Sequence, residues 1–230
     1  MEILADFNQR VVVHSASLDW LMSPMAGVER RPLDRVGGEV ARATSIVRFA
    51  KGSHFSAHVH SGGEEFIVLE GVFQDEHGDF PAGSYIRNPP QSKHTPRSDE
   101  GCTIFVKLWQ FQPQDRTHVR LHIDDMQATL RVDEGISMIP LYKDEYEEVA
   151  IFDFAANAKL SMQASEGVEV LVLSGELQTP HDLLQKHSWM RLPLGDDLDL
   201  TATNNGAKIW IKMGNLADVS NQINRVQAAC

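Results

Sequence analysis

The chain has 230 residues, of which 42% are hydrophobic and 23% are charged, and its formal net charge is −11. This composition is typical of a globular protein with a buried core, and no apolar run approaches the roughly 18 residues that predict a membrane span. The acidic charge, with no local lysine- or arginine-rich patch, argues against direct DNA or RNA binding, because nucleic-acid binders usually carry a basic surface.

The N-terminal residues and the cysteine content indicate the cellular setting. The opening residues, MEILADFNQR, lack the basic and apolar regions of a secretory signal. The two cysteines, Cys102 and Cys230, provide neither a disulfide framework nor the CxxC spacing of a cysteine zinc site. We therefore expect a reducing, cytoplasmic setting.

Short β-rich segments follow one another along the chain. In order they are VVVH, ATSIVRF, EFIVLEGVF, TIFVKLWQF, VAIFDF, VEVLVLSGEL and AKIWIKM, with clusters of Gly, Pro, Asp and Asn between them. Near the C-terminus, LADVSNQINRVQAA is the best candidate for a short helix. Many short strands at close spacing predict an all-β sandwich or barrel.

The second half of the chain repeats the first. Four residues recur at one constant offset of 104 (175 − 71 = 104), the pairs being Gly71 with Gly175, Ser84 with Ser188, Arg87 with Arg191 and Pro89 with Pro193. At slightly different offsets, GVERRPL matches GISMIPL and GCTIFVK matches GAKIWIK. We therefore predict two copies of one β domain, residues 1–113 and 114–230, joined in QPQDRTHVR.

The stretch GSHFSAHVHSGGEEFIVLEG carries a candidate metal site. Residues of equal parity share one face of a strand, so His58 and His60 project together, and a Ser-Gly-Gly turn lets Glu64 face them. His94 follows the proline-rich turn in RNPPQSKHTP and could return to the same face. Three neutral imidazoles and a carboxylate suit Fe(II), Mn(II), Ni(II), Cu(II) or Zn(II), so we predict one divalent metal ion in the N-terminal copy.

The same residues fit the two general cupin motifs, G(X)5HXH(X)3-4E(X)6G and G(X)5PXG(X)2H. The matching residues are Gly52, His58, His60, Glu64 and Gly71 for the first motif, and Gly83, Pro89 and His94 for the second, with Gln91 where glycine is usual. Around them, WLMSPMAGVERRPL, HVHSGGEEFIVLEG and EGCTIFVKLWQF resemble the ChrR-like cupins, named for the C-terminal domain of the zinc-containing anti-sigma factor ChrR. The resemblance covers roughly residues 20–111.

This resemblance implies a double-stranded β-helix, or jelly-roll, barrel for each half. It also implies that His58, His60, Glu64 and His94 hold the metal. Zinc and iron are the first candidates for this metal, and manganese and nickel are the alternatives. Glu65 is an alternative carboxylate ligand to Glu64, because the first motif tolerates either spacing.

Two functions from different classes follow from the resemblance. The first is a regulatory or stress-response protein related to the anti-sigma factor, with a metal that is structural or redox-responsive and with a protein partner. The helical zinc domain of that factor, with its CxxC pair, has no match in this sequence, so anti-sigma activity does not transfer. The second is a mononuclear non-haem dioxygenase acting on a diketone or hydroxyacetophenone-like small molecule. The sequence leaves the oligomeric state open, with a homodimer as one alternative because dimers are common among cupins.

The second copy is predicted to lack the metal site. At the offset of 104, the four ligand positions hold apolar residues, namely Met162, Ala164, Val168 and Leu198. We expect an apolar, metal-free interior there, since unpaired polar groups are costly to bury. Three residues of this half match no ligand position and are expected on the surface or in loops, namely Glu169, His181 and His187.

Some residues near the candidate ligands have two interpretations. His54 either lines the pocket behind the ligands or lies exposed at the start of a strand. Tyr85 and Arg87 could contact an anionic ligand, but Arg87 recurs as Arg191, which favours an architectural role.

Overall fold

The computed structural model describes residues 1–128 and 130–229, most of which form β-strands. The strands up to residue 125 are β1 (Glu2–Ile3), β2 (Val11–His14), β3 (Leu21–Met22), β4 (Val28–Gly37), β5 (Ala41–Phe49), β6 (Ser53–His54), β7 (His58–His60), β8 (Glu64–Asp75), β9 (Gly78–Pro81), β10 (Ser84–Asn88), β11 (Ser92–His94), β12 (Arg97–Ser98), β13 (Cys102–Leu108) and β14 (Val119–His122). The later strands are β15 (Leu130–Asp133), β16 (Ile136–Lys143), β17 (Glu148–Phe154), β18 (Lys159–Gln163), β19 (Val168–Gln178), β20 (Leu183–Leu184), β21 (Ser188–Leu192) and β22 (Asp197–Met213).

Helical structure is confined to short segments. The predicted C-terminal helix is confirmed as α1 (Val219–Ala228), and two single 3-10 turns span Ser15–Ser17 and Ile123–Asp125. Across residues 1–128 and 130–229, none of the helices has the length and apolar character needed to span a membrane.

The chain forms two compact units. Unit 1 comprises Met1–Ala5, Asp19–Asp125 and the segment from Ser220 onward, and unit 2 comprises Asp6–Leu18 and Met126–Val219. Compared with the predicted division at residue 113, β2 is grouped with unit 2, whereas β14 and most of α1 are grouped with unit 1. Cys230 lies outside the described residues.

The two units have the same strand order. In unit 1 the main sheet runs β1-β4-β5-β13-β8-β10-β14, and in unit 2 it runs β15-β16-β17-β22-β19-β21-β2, with antiparallel pairing throughout. The last strand of each sheet comes from outside the repeated block, β14 from the segment after it and β2 from the N-terminus. Each unit is a double-stranded β-helix barrel, which confirms the predicted all-β fold.

The interiors of the two barrels differ in polarity. In unit 2 the strands bury apolar side chains, such as Val170, Met190 and Ile209, at no more than 1% exposure. In unit 1 an apolar core around Phe66 and Val68 occupies only part of the interior, because histidines, a glutamate and arginines border the rest. Apolar burial stabilises each barrel by about 25 cal/mol for each Å² removed from water.

A buried glutamate, arginine and lysine recur together in both barrels. They lie opposite one another on three neighbouring strands, as Glu65, Arg87 and Lys107 in unit 1 and as Glu169, Arg191 and Lys212 in unit 2. The expectation that Glu169 lies on the surface or in a loop is wrong, because it is fully buried in β19 and accepts a 2.7 Å hydrogen bond from Asn215 Nδ2. Since the set occurs in the copy without candidate ligands, its role is to stabilise the barrel.

Candidate metal centre

Three histidines and a glutamate converge at one end of the unit 1 interior. Antiparallel pairing of β7 with β11 sets His58 directly opposite His94, and His60 lies two residues further along β7. Ring nitrogens of the three histidines lie within 4.8 Å of one another. Glu64, at the start of β8, brings its Oε2 atom to 3.3 Å from His60 Nε2 and 3.5 Å from His94 Nε2.

Two adjacent glycines between β7 and β8 hold Glu64 beside the histidines. The ring of Trp109 lies where a side chain at Gly62 would begin, with Cδ2 at 2.1 Å from an added Cβ. The ring of Phe111 blocks Gly63 in the same way at 2.4 Å, and Gly63 has a φ of +80° that favours glycine. The predicted Gly-Gly turn is therefore required by packing as well as by backbone conformation.

The spacing of the donor atoms fits a shared cation. Donors bound to one ion at about 2.0–2.2 Å lie about 3–4.4 Å apart, depending on the angle between them. Here His60 Nε2 lies 2.9 Å from His94 Nε2, and both lie within 3.5 Å of Glu64 Oε2. Two imidazole nitrogens and a carboxylate oxygen at these separations form a donor set that suits a first-row divalent metal.

Neighbouring acceptors fix the orientation of two of the imidazoles. His94 Nδ1 lies 3.2 Å from the buried Asp75 carboxylate, and His58 Nδ1 lies 3.1 Å from the Ser56 carbonyl oxygen. Because both partners only accept hydrogen bonds, they assign the proton of each neutral ring to Nδ1 and leave the Nε2 lone pair directed toward the cluster. Asn88 Nδ2 donates a 3.3 Å hydrogen bond to Glu64 Oε2, the same carboxylate oxygen that faces His60 and His94.

Burial and neighbouring charges shift the acid–base behaviour of this cluster. Burial, reinforced by the other two histidines and opposed by Glu64, lowers the pKa of His60. Burial also acts to lower the pKa of His94, but the hydrogen bond to Asp75 and the nearby carboxylates outweigh it and raise that pKa. Burial acts to raise the pKa of Asp75, yet its hydrogen bonds from His94 and the His77 amide hold it below its usual range.

A cavity of about 170 Å³ adjoins the cluster inside unit 1. His58 and Glu64 form part of its wall, and most of the remaining wall is apolar, including Phe49, Phe55 and Phe73. Three further polar side chains line the same cavity, namely Arg30 and Arg35 of β4 and Ser45 of β5. A small molecule could therefore reach the candidate ligands from within the barrel.

The structure distinguishes the two candidate carboxylates. Glu64 faces His60 and His94, whereas Glu65 lies on the opposite face of β8, where it accepts a hydrogen bond from the hydroxyl group of Tyr85. Arg87 is buried, pairs with Asp115 at 2.8 Å and stacks on the ring of Phe111. Tyr85 and Arg87 are therefore part of the barrel framework and do not border the cavity.

Sequence reasoning missed three polar residues that matter to the site, namely Asp75, Arg30 and Arg35. It left His54 undecided, and the structure shows this side chain 66% exposed with Nε2 4.0 Å from Asp99, away from the ligands. Asp75 is the last residue of β8, the strand that begins at Glu64. A carboxylate at the end of the strand that carries a candidate ligand is the sequence signal that could have identified it.

The second barrel keeps the backbone register of the site without its polar groups. Met162 lies opposite Leu198 in unit 2, at the same register at which His58 lies opposite His94 in unit 1. Ala164, Val168 and Leu198 belong to the apolar core of unit 2. The predicted apolar interior of the second copy is therefore present at each of these positions.

Comparisons with known proteins agree with this architecture. The family model described as the ChrR cupin-like domain matches residues 8–112. No protein among curated sequences matches the chain.

Solved structures resemble the chain along most of its length. A candidate dioxygenase from Nostoc punctiforme PCC 73102 has 14% identity and a TM-score of 0.73, with 91% of this chain and 84% of that chain covered. YlbA from Escherichia coli has 15% identity, a TM-score of 0.70 and coverage of 91% and 92%. The bacterial pirin YhhW from Escherichia coli, in complex with nickel(II), has 13% identity, a TM-score of 0.63 and coverage of 90% and 99%. At these identities the likeness establishes the fold.

Proposed function

We propose that His58, His60, Glu64 and His94 bind one divalent metal ion in unit 1, within the residues 8–112 that match the ChrR cupin-like domain model. The observation that carries this proposal is the convergence of three imidazoles and a carboxylate, with Nδ1 of His58 and His94 already engaged by acceptors. Zinc and iron suit this set of donors, as do manganese and nickel. A bound ion would supply Lewis acidity, and iron would also supply redox chemistry toward dioxygen.

We further propose that the metal centre serves an enzyme that transforms a small molecule, with dioxygenase as the reaction class. The support is the cavity of about 170 Å³ whose wall includes His58 and Glu64, because a purely structural metal site does not need such a space. The aromatic side chains of Phe49, Phe55 and Phe73 surround the cavity and would exclude water from a bound substrate. Because His58 and Glu64 belong to the cavity wall, one end of a bound substrate would lie beside the proposed metal ligands.

The first experiment is elemental analysis of protein purified without oxygen, followed by oxygen uptake after loading with Fe(II). One iron per chain, with oxygen consumed when a β-diketone is added, would support the dioxygenase proposal. His60→Ala is the negative control, since it removes a ligand, and Met162→Ala is the matched control in unit 2. An iron-loaded protein that consumes no oxygen across a panel of such compounds would refute this reaction class.

A second candidate function is regulation of a stress response, and the family match at residues 8–112 favours it. In that case the metal would be zinc and would stabilise the barrel, and a protein partner would bind the zinc-loaded form. Zinc-loaded protein that resists exchange with excess Fe(II) and shows no oxygen uptake would favour regulation over catalysis. Ready exchange with retained turnover would exclude it.

A further inference from the structure

A β-bulge in β4 directs two arginines into the cavity. Arg30 pairs with Val47 of β5 and Arg35 pairs with Ala43, but the register shifts by one residue between Pro32 and Asp34. Because side chains alternate between the faces of a strand, residues 30 and 35 would otherwise lie on opposite faces. The bulge brings both guanidinium groups to the wall of the same cavity.

Neither arginine is neutralised by a carboxylate within residues 1–128 and 130–229. Arg30 donates from Nη2 to the Ser23 hydroxyl at 2.7 Å, while its buried Nε has no hydrogen-bond partner. Arg35 donates to the Gly38 carbonyl oxygen. Burial lowers the pKa of Arg30, and burial together with the positive charge of Arg30 lowers that of Arg35. Two half-buried cations on the wall of one cavity cost stability unless an anion joins them.

The second barrel indicates that the fold itself does not need Arg30. The strand β16 repeats the bulge of β4, with a register shift between Pro140 and Tyr142. By the match of GVERRPL with GISMIPL, the counterpart of Arg30 is Met138, which is 6% exposed in the apolar core. The buried Arg87, by contrast, is kept as Arg191. Arg30 therefore changes together with the metal ligands, whereas the architectural arginine does not.

We propose that Arg30 and Arg35 bind the carboxylate group of a small organic acid whose other end reaches the candidate metal ligands. This inference rests on the proposed function and narrows its substrate class from a neutral diketone to a carboxylate-bearing one. Guanidinium groups match carboxylate oxygens in geometry and form strong, charge-assisted hydrogen bonds. The apolar wall formed by residues such as Val28 and Ile104 would contact the carbon chain between the two polar ends.

The test measures, by titration calorimetry, how tightly zinc-loaded protein binds two β-diketones of equal chain length. Succinylacetone carries a carboxylate on its longer arm, and butanoylacetone has a methyl group in that place. We expect succinylacetone to bind at least about tenfold more tightly. Arg30→Gln and Arg35→Gln should each reduce that preference, and Arg30→Lys should retain part of it because the charge remains.

Arg48→Gln is the matched control, because it removes the same charge at a position that does not border the cavity. The Arg48 side chain is 44% exposed and pairs with Glu29. This variant should leave the preference for succinylacetone unchanged. Thermal unfolding of each variant will show that loss of binding does not reflect loss of folding. Within the described residues, Arg30 donates to the Ser23 hydroxyl and Arg35 to the Gly38 carbonyl oxygen, so each variant loses few hydrogen bonds and should fold.

Equal affinity of the wild-type protein for both diketones would overturn the inference, as would a preference that survives in both Arg→Gln variants. Failure of succinylacetone to bind the zinc-loaded protein would overturn it as well. The zinc content of the same samples reports separately on the proposed function. If no zinc is bound, the proposed metal site is refuted. The affinities of the two diketones are then compared on the metal-free protein. Equal affinities there would refute the role of the arginines.

Discussion

Replacing Asp75 with asparagine tests how the structure prepares His94 for metal binding. Asp75 uses its two carboxylate oxygens separately, with Oδ1 accepting a 2.7 Å hydrogen bond from the His77 amide and Oδ2 facing His94 Nδ1 at 3.2 Å. An asparagine that keeps the bond from His77 must turn its NH2 group toward His94. That arrangement favours the His94 tautomer with the proton on Nε2. In this tautomer Nε2 has no free lone pair with which to bind a metal.

The size of the effect follows from the hydrogen bond that is lost. A hydrogen bond to a charged group contributes about 1.5–3 kcal/mol, and Asp75 is only 7% exposed, so water cannot readily replace it. At about 1.4 kcal/mol for each factor of ten, Asp75→Asn should weaken metal affinity roughly 10- to 100-fold. Loss of an outer hydrogen-bond partner of a metal-binding histidine typically has an effect of about this size.

The assay is a competition titration of Zn(II) between the protein and a chromophoric chelator. Asp79→Asn is the control, because Asp79 is 65% exposed and bonded to Gln74, and its replacement removes the same charge near the site. Asp79→Asn should change the affinity by less than about twofold. The reasoning is refuted if Asp75→Asn leaves zinc affinity within that margin, or if both variants weaken it equally.

Elemental analysis should find no stoichiometric metal in His60→Ala and an unchanged metal content in Met162→Ala, and one metal per chain in the first variant would show that the ligands are wrong. Metal content after dialysis should fall as pH is lowered from about 7 to 5, because protons compete for imidazoles with a reference pKa near 6.5; full retention at the lower pH would argue against histidine ligands. Gly71→Ala should destabilise unit 1 by more than about 2 kcal/mol in denaturant unfolding, because Gly71 has a φ of +72° and an added Cβ would lie 2.0 Å from the Gly101 carbonyl oxygen. Gly52→Ala, with a φ of +74° but open space around it, should cost only about 1–2 kcal/mol; equal losses would show that the close contact at Gly71 contributes nothing.

The features that local patterns encode could be predicted from the sequence. Alternation along β7 places His58 and His60 relative to each other, and the glycine pair behind them fixes where the chain turns. The constant offset between the halves predicts that Met162 occupies the position of His58, and the equal registers of the strand pairs β7–β11 and β18–β22 agree with this. These inferences need only short-range geometry, which a single sequence carries.

Other features depend on contacts that a single sequence does not display. The bulge after Pro32 reverses the alternation in β4, so parity alone separates Arg30 from Arg35. The segment VVVH has the composition of a strand, but nothing in it indicates that β2 pairs with β21, which lies some 170 residues later. Asp75 and His94 lie 19 residues apart and meet only because the chain returns from β8 to β11.

The two barrels in one chain act as an internal comparison of structure and function. Residues that both copies keep in the same register, such as Glu65 and Glu169, satisfy each barrel's own buried polar groups. This recurrence explains why Glu65 has a structural role although it is the next residue in sequence after the candidate ligand Glu64. Residues that are polar in unit 1 and apolar in unit 2, such as Arg30 and its counterpart Met138, are not required by the fold that the two units share. The proposed metal ion and anionic ligand would offset the cost of burying these polar groups in unit 1.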